Sequence, residues 1–113
     1  MSDCLFCTIA AGEISVDVVY EDDKVLAFRD IDPQAPTHVL VIPREHFDNV
    51  SEMTRDNPLL AAEVLAATTE VAQLETLERG YRVVTNVGTD GGQSVRHVHF
   101  HVLGGRGLTW PPG

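Results

Sequence analysis

Three histidines alternate with apolar residues in the segment His97–Leu103, which reads His-Val-His-Phe-His-Val-Leu. On a β-strand, residues two apart lie on the same face, so His97, His99 and His101 point one way and the apolar side chains point into a core. His97 and His101 would then lie on the order of 13 Å apart along the strand. One metal ion with bonds of about 2 Å cannot bind all three imidazoles. We therefore expect His97 to serve a different purpose from the other two.

Neighbouring imidazoles of this kind are suited to phosphoryl transfer. A neutral imidazole nitrogen is a good nucleophile near pH 7, and a second histidine can donate a proton to phosphate oxygens or to a leaving group. The loop Gly88–Ser94 comes just before the strand, and its glycines let backbone N–H groups approach a phosphate closely. Ser94 adds a hydroxyl and Asn86 an amide. A ligand bound at His99 could then also be contacted by His101.

Two other interpretations fit the same residues. A single histidine on a strand is more often structural than catalytic, although packing alone does not select three alternating ones. His99 and His101 could also share a zinc ion, which would make the protein a metal-dependent hydrolase. Such a site would need a third protein ligand and an open coordination position.

The rest of the chain predicts an α+β fold with a five-stranded, mostly antiparallel sheet, one long helix and a short N-terminal helix. The short helix is predicted over Leu5–Ala11, closed by Gly12. The long helix has Asn57 as its cap, Pro58 at its first position and Gly80 just past its end. Its apolar stripe is Leu60, Val64, Ala67, Val71 and Leu74. The strands are predicted at Val16–Tyr20, Val25–Arg29, Thr37–Pro43, Tyr81–Val87 and Arg96–Leu103.

Composition and charge limit the possible partners. The 113 residues are the usual size of one domain, here residues 1–113. The formal net charge of -9 disfavours nucleic acid as a partner, because such binding requires Lys and Arg at the phosphates, but a small anion needs only a local pocket. The N-terminus Met1–Cys4 has no basic stretch, and no run of about 18 apolar residues follows. We therefore expect a cytoplasmic protein with no membrane segment.

The segment His97–Leu103 fits the alternating signature of the histidine triad (HIT) superfamily. Other segments resemble blocks of the Hint branch of that superfamily, so that the resemblance covers nearly the whole chain. They are Phe28–Ile31, Pro36–Pro43, Gly91–Val95, Gly104–Arg106 and Trp110–Gly113. The resemblance implies a homodimeric enzyme that binds purine nucleoside monophosphate conjugates and hydrolyses a bond to their phosphorus, as a purine nucleoside phosphoramidase does.

The resemblance also implies roles for the matching residues. His99 would attack the α-phosphorus and form a nucleotidyl-histidine intermediate that water resolves, while His101, His38 and Ser94 would assist at the phosphate or the leaving group. The nucleotide would be held by Phe6, Ile9, Phe28 and Ile31 around the base, by Asp30 at the ribose, and by Asn86, Gly92, Ser94 and Val95 near the phosphate. Each of the apolar residues around the base fits a core position equally well, and Asp30 also fits a turn.

A second candidate site lies near the N-terminus, where Cys4 and Cys7 have the spacing of zinc ligands. Some bacterial members of the superfamily have two cysteines and two histidines around a structural zinc. That resemblance implies a closed site of Cys4, Cys7, His46 and His97, tying the N-terminal segment to the sheet. Many Hint proteins lack the cysteines, so catalysis would require no cofactor. The alternative is two thiols on a short helix beside a solvent-facing His46.

Other functions remain open at this point. A dinucleoside polyphosphate hydrolase has a phosphate leaving group, so that Ser94 would matter less. A nucleotide-binding interaction module with little activity is a third possibility, although the intact triad argues against it. In the implied homodimer, Trp110 would lie near the partner's site and influence substrate choice; alternatively, it only anchors the tail.

Overall fold

The computed structural model describes residues 3–113. Met1 and Ser2 belong to the predicted domain of residues 1–113 and to the N-terminus predicted to carry no targeting signal, but both lie outside the described residues. The helices are α1 (Leu5–Ala10), α2 (Val50–Asp56) and α3 (Pro58–Leu74). The strands are β1 (Val18–Glu21), β2 (Val25–Arg29), β3 (Thr37–Pro43), β4 (Tyr81–Val84) and β5 (Phe100–Gly104).

The predicted α+β class is confirmed. The five strands form one sheet in the order β1-β2-β3-β5-β4, and every strand pair within residues 3–113 is antiparallel. No helix in this range is long and apolar enough to cross a membrane.

Each face of the sheet carries its own apolar cluster, because successive residues of a strand point to opposite faces. The helix-side core joins α3 to residues such as Val39, Val41 and Val102. The site-side core lies on the other face and joins α1 to strands β2 and β3. It consists of Phe6, Ile9, Leu26, Phe28, Leu40 and Ile42.

Helix α3 begins where the sequence predicts. The side chain of Asn57 accepts a hydrogen bond from the backbone N–H of Leu60 at 3.2 Å, and Pro58 occupies the first turn. The predicted stripe is buried except for Leu74, whose side chain is 56% exposed at the last helical position.

The end of α3 differs from the prediction. Gly80 does not follow the helix directly; Glu75 caps the helix, and Thr76 adopts a left-handed backbone with φ of 58°. Gly80, with φ of 116°, instead turns the chain into β4. A left-handed conformation is strained for a β-branched residue such as Thr76.

We expect Thr76→Gly to raise the free energy of unfolding by about 0.5–1 kcal/mol, because glycine adopts positive φ without a Cβ clash. Urea denaturation measures the change. The matched control is Thr69→Gly, an exposed position inside α3, where glycine is a poor helix former and the free energy of unfolding should fall. A fall in both variants would contradict the strain argument.

Strand β5 is shorter at its start than the predicted Arg96–Leu103. Before Phe100 the chain leaves the ladder with β3, because its polar groups bond to the segment around the end of β3 instead. The backbone N–H of Val98 donates to the carbonyl of Phe47 at 2.7 Å, and the ring Nε2–H of His97 donates to the carbonyl of Pro43 at 2.8 Å. Strand β4 also stops earlier than predicted, at Val84, and β1 spans Val18–Glu21 rather than Val16–Tyr20.

Helix α2 was not predicted, although the sequence contains a signal for it. Asn49 caps the helix by accepting from the backbone N–H of Glu52 at 3.0 Å, and the Glu52 carboxylate accepts from the backbone N–H of Asp48 at 3.3 Å. An Asn followed three residues later by Glu is the pattern of a capping box.

Candidate functional site

The three histidines share one side of their segment, as the alternation predicts. Val98, Phe100 and Val102 belong to the helix-side core. On the opposite side, the ring of Phe6 from α1 packs edge-on against His99, with centroids 5.1 Å apart, and against His97 at 6.0 Å. His97 and His99 are buried, whereas His101 is half-buried.

The hydrogen bonds of His99 fix which of its nitrogens can react. Its Nδ1–H donates to the carbonyl of His97 at 2.8 Å, because a carbonyl can only accept. The neutral ring therefore carries its lone pair on Nε2. Burial lowers the pKa of His99 below the ordinary value, which keeps the imidazole neutral near pH 7. His99 thus has the protonation state of a nucleophile or base.

A chain of hydrogen bonds fixes His101 in the same way. The backbone N–H of Gln34 donates to His38 Nδ1 at 3.0 Å, so that the proton of His38 is on Nε2. That Nε2–H lies 2.9 Å from His101 Nδ1 and donates to it, which leaves the proton of His101 on its own Nε2. With the ring centroids of His99 and His101 5.0 Å apart, a lone pair and an N–H donor lie side by side.

Asp30, His38 and His101 bring three potential metal ligands close together. The Asp30 carboxylate lies 3.5 Å from His38 Nε2. However, His38 Nε2 carries a proton and His101 Nδ1 accepts it, so neither atom offers a lone pair to an ion. We interpret this group as a hydrogen-bonded support for His101 rather than as a metal site.

Burial, reinforced by the neighbouring His99 and His38, lowers the pKa of His101 from 6.5 to about 4. Between these two values the unfolded chain binds more protons than the folded one, so the free energy of unfolding falls as pH falls. We expect this loss between pH 6.5 and about 4 to be smaller in His101→Asn, whose side chain does not titrate. Urea denaturation of both proteins across this range measures the difference. Equal pH slopes would contradict the low pKa.

A cavity of about 240 Å³ opens beside His99 and His101. Its wall contains nine of the predicted nucleotide-binding residues: Phe6, Ile9, Phe28, Asp30, Ile31, Ser94, Val95, His99 and His101. Among these nine, the polar residues are the two histidines, Asp30 and Ser94, and the others are apolar. Ile31 is 99% exposed, so it lies at the rim rather than in the wall's packed part.

The cavity also contains residues that the sequence did not predict, namely Leu5, Val16, Arg29 and Leu40. Leu40 was detectable in principle, because it lies directly opposite Phe28 in the pairing of β2 with β3 and so shares its face. Arg29 forms a two-pronged ion pair with Glu75 at 2.6 and 2.9 Å, which ties this wall to the end of α3.

Three predicted site residues do not line the cavity. His38 lies behind His101. Asn86 donates to the carbonyl of Gly91 at 2.6 Å, and Gly92 adopts a left-handed φ of 77° in the same loop. The side chain of Asn86 therefore holds the glycine loop rather than lining the cavity.

The second predicted site also comes together. Cys4 and Cys7 from the start of α1, His46 after β3 and His97 bring their ligand atoms within 4.8 Å of one another. We refer to these four residues as the thiol–imidazole cluster. His97 Nδ1 lies 3.4 Å from each of the two sulfurs, and His46 Nδ1 lies 3.3 Å from Cys7 Sγ and from His97 Nδ1.

The chemistry of this cluster fits a metal ion. His97 Nε2–H donates to the Pro43 carbonyl and His46 Nε2–H donates to the Asp48 carboxylate at 2.9 Å, so both Nδ1 lone pairs point into the cluster. Two lone pairs facing each other at 3.3 Å repel unless a cation lies between them. A tetrahedral ion with nitrogen and sulfur ligands has edges of roughly 3.3–3.8 Å, which matches these distances.

Comparison with known proteins gives consistent results. The model of the HIT domain matches residues 11–108. A HIT-like protein of Synechococcus elongatus is 50% identical over 98% of this chain and 97% of its own, and a 14 kDa zinc-binding protein of maize is 48% identical over 99% and 89%.

Solved structures give the same result. A HIT family hydrolase from Legionella pneumophila superposes with a TM-score of 0.94 at 54% identity, covering 98% of this chain and all of that one. A histidine triad protein from Clostridium difficile superposes with a TM-score of 0.91 at 41% identity, over 96% of each chain.

Proposed function

Because the chain belongs to the HIT domain family, we propose that it hydrolyses the phosphorus–nitrogen bond of purine nucleoside 5′-phosphoramidates through a nucleotidyl-histidine intermediate. The observation that carries the proposal is the pairing of an Nε2 lone pair on His99 with an Nε2–H donor on His101, both at the wall of one cavity. A phosphate placed there meets a nucleophile and a hydrogen-bond donor at once.

The proposed reaction proceeds in two displacements. His99 Nε2 attacks the α-phosphorus, the bond from phosphorus to the substrate nitrogen breaks, and the amine leaves with a proton. Water then attacks the same phosphorus, the bond to His99 breaks, and the nucleoside monophosphate is released. The His97 carbonyl accepts the Nδ1–H throughout and stabilises the positive charge that develops on the imidazole in the first step.

His101 has a narrower role than general acid in this scheme. With its pKa lowered to about 4 it is neutral near pH 7, and a neutral imidazole N–H donates a hydrogen bond without giving up its proton. We assign it to the phosphate oxygens. To Ser94, which is exposed in the cavity wall, we assign the transfer of a proton from solvent to the leaving amine.

The rest of the cavity suits the nucleoside. Phe6 and Phe28 lie edge to face with centroids 5.6 Å apart and offer an apolar wall for the base, while Asp30 offers a carboxylate for ribose hydroxyls. A cavity of about 240 Å³ is below the usual size of roughly 300–1,000 Å³ for ligand pockets. A single nucleoside unit is therefore enough to fill it.

The test is hydrolysis of adenosine 5′-phosphoramidate, with and without chelator, combined with acid quenching to trap the labelled nucleotidyl-enzyme. Turnover at saturating substrate that persists with chelator, and label on His99, are the expected results. Protein that binds AMP but shows no turnover would instead favour a nucleotide-binding module. Preferential cleavage of dinucleoside polyphosphates would favour a dinucleoside polyphosphate hydrolase. Immediate loss of activity with chelator would favour metal-dependent hydrolysis.

We also propose that the thiol–imidazole cluster binds a structural zinc ion. The donor set of two sulfurs and two nitrogens is typical of zinc, and the maize relative carries zinc binding in its name. Zinc there would join the start of α1 to the segment that leads into β5.

We expect protein purified without added zinc to contain about one equivalent of it, as metal analysis would measure. His46→Asn should lose most of this zinc, because it removes one of four ligands, whereas His101→Asn is a matched control outside the cluster and should retain it. Less than about a tenth of an equivalent in wild type, under conditions that protect thiols, would overturn the zinc assignment.

We further propose a homodimer through β4 and α3, with Trp110 near the partner's cavity. Strand β4 lies at the end of the strand order, and its Tyr81 and Val83 are exposed on one face. Tyr81 lines a cleft with Ala72 and Gln73 of α3, which leaves a partly apolar surface for a second copy. Sedimentation equilibrium of wild type and of Val83→Lys tests the proposed homodimer. A monomeric wild type would contradict the proposal.

A further inference from the structure

The thiol–imidazole cluster lies where three segments meet, and each segment carries or contacts a different part of the proposed nucleotide site. The segments are the start of α1, the stretch His46–Asp48 and the segment from His97 to His101. A metal site that served only to stabilise the fold would not need to contact all three parts of the nucleotide site.

The first connection runs through Phe6, which lies between Cys4 and Cys7 in sequence. Its side chain is 5% exposed and packs edge-on against both His99 and Phe28. Holding the two sulfurs holds the turn that bears this ring. The ring in turn limits the orientations of the His99 imidazole and forms one wall of the base pocket.

The second connection runs through His97, whose side chain and main chain serve different sites. Its Nδ1 belongs to the cluster, its Nε2–H is held by the Pro43 carbonyl, and its own carbonyl accepts the Nδ1–H of His99. A fixed His97 ring therefore keeps the carbonyl aimed at His99. That carbonyl is what places the reactive lone pair on Nε2.

The third connection reaches the glycine loop. His46 Nε2–H is held by the Asp48 carboxylate, and the Asp48 carbonyl accepts from the Gln93 side chain. Gln93 Oε1 in turn accepts from the backbone N–H of Gly88 at 3.0 Å, closing the loop on itself. Ser94 follows Gln93 directly, so its position depends on this chain of contacts.

We propose that the metal-loaded cluster is the positioning centre of the nucleotide site, setting the base wall, the nucleophile's tautomer and the glycine loop together. The inference rests on the proposed function for its substrate class. The helix-side core contains none of the four cluster residues, so the fold should survive loss of the ion while the site loosens.

The test compares zinc-loaded wild type, metal-depleted wild type and Cys7→Ser by calorimetric titration with AMP and by ¹⁵N NMR of the imidazoles. We expect AMP to bind at least about tenfold more weakly without the ion, because the pocket must then be ordered on binding. The protonated Nδ1 signal of His99 should broaden or shift to a mixture of tautomers. The control is Val64→Ala, which weakens the helix-side core and should leave AMP affinity within twofold.

A further variant separates positioning from loss of folding. Gln93→Ala keeps all four cluster ligands and removes the side-chain hydrogen bonds of Gln93 to Asp48, Gly88 and Val95, so it should retain zinc, raise KM and leave the His99 signal unchanged. If removing the metal unfolds the chain, Gln93→Ala still tests the connection to the glycine loop. An unchanged KM in this variant would overturn the inference, and a raised KM would support it.

The two proposals fail in different ways. If zinc-loaded wild type does not bind AMP, the proposed function is wrong. The ¹⁵N NMR signal of His99 would in that case still change when the ion is removed. Depleted, folded protein with unchanged AMP affinity and an unchanged His99 signal would overturn the positioning inference and leave the function intact.

Discussion

Replacing His99 by alanine should lower kcat for adenosine 5′-phosphoramidate hydrolysis by at least about a thousandfold, because it removes the group that forms the covalent intermediate. The lone pair on His99 Nε2 is held in place by the His97 carbonyl and the Phe6 ring, and the neighbouring His101 cannot replace it. His101 Nε2 carries a proton and so cannot attack. The single-turnover rate, measured with enzyme in excess, reports the chemical step directly.

Two further measurements on His99→Ala serve as controls for the loss of activity. AMP should still bind to His99→Ala within a few-fold, because Phe28, Asp30 and the rest of the wall remain. Added imidazole should restore part of the activity by entering the space left at position 99. Activity above about a tenth of wild type without imidazole would show that His99 is not the nucleophile.

Replacing Gly91 by alanine should have the second largest effect. A Cβ at this position would overlap the backbone carbonyl oxygen of Val87, so the loop between Asn86 and Ser94 must shift. The shift also disturbs the 2.6 Å hydrogen bond from Asn86 to the Gly91 carbonyl. Because misplacement by about 1 Å can cost on the order of a hundredfold in rate, we expect a loss of that order in kcat/KM.

The matched control for this change is Gly107→Ala, where a Cβ has no atom within 4 Å. Its kcat/KM should remain within twofold of wild type. Circular dichroism should show both variants folded, since the glycine loop is exposed and lies outside both apolar cores. A Gly91→Ala enzyme with normal kinetics would mean that the loop takes no part in the reaction.

The sequence predicted most of the architecture because its signals are local. The Asn57–Pro58 start of α3, the apolar stripe and the bounds of β2 and β3 follow from capping, helical spacing and β-branched residues. The prediction that His97, His99 and His101 share one side also holds. It holds even though His97 and His99 precede the paired part of β5, because Val98 packs in the helix-side core like Phe100 while Phe6 packs against both histidines from the other side.

Non-local interactions account for what the sequence did not predict. Val98 N–H bonds to Phe47, a contact across the fold that no local pattern reveals, and so β5 starts later than its apolar alternation suggests. The relay from Gln34 through His38 to His101 depends on the pairing of β3 with β5. The predicted end of α3 was wrong because Thr76 adopts a left-handed backbone conformation, which sequence rules assign to glycine.

The two apolar cores on opposite faces of the sheet have a consequence for how this protein can diverge. Along β3, Val39 and Val41 pack on the α3 side, whereas Leu40 and Ile42 pack on the side of the cavity. Adjacent positions of this strand are therefore under different selection, one for folding and the next for ligand choice. Descendants that acquire new substrates should accumulate replacements at every second position of this strand, while the intervening valines stay under selection for stability alone.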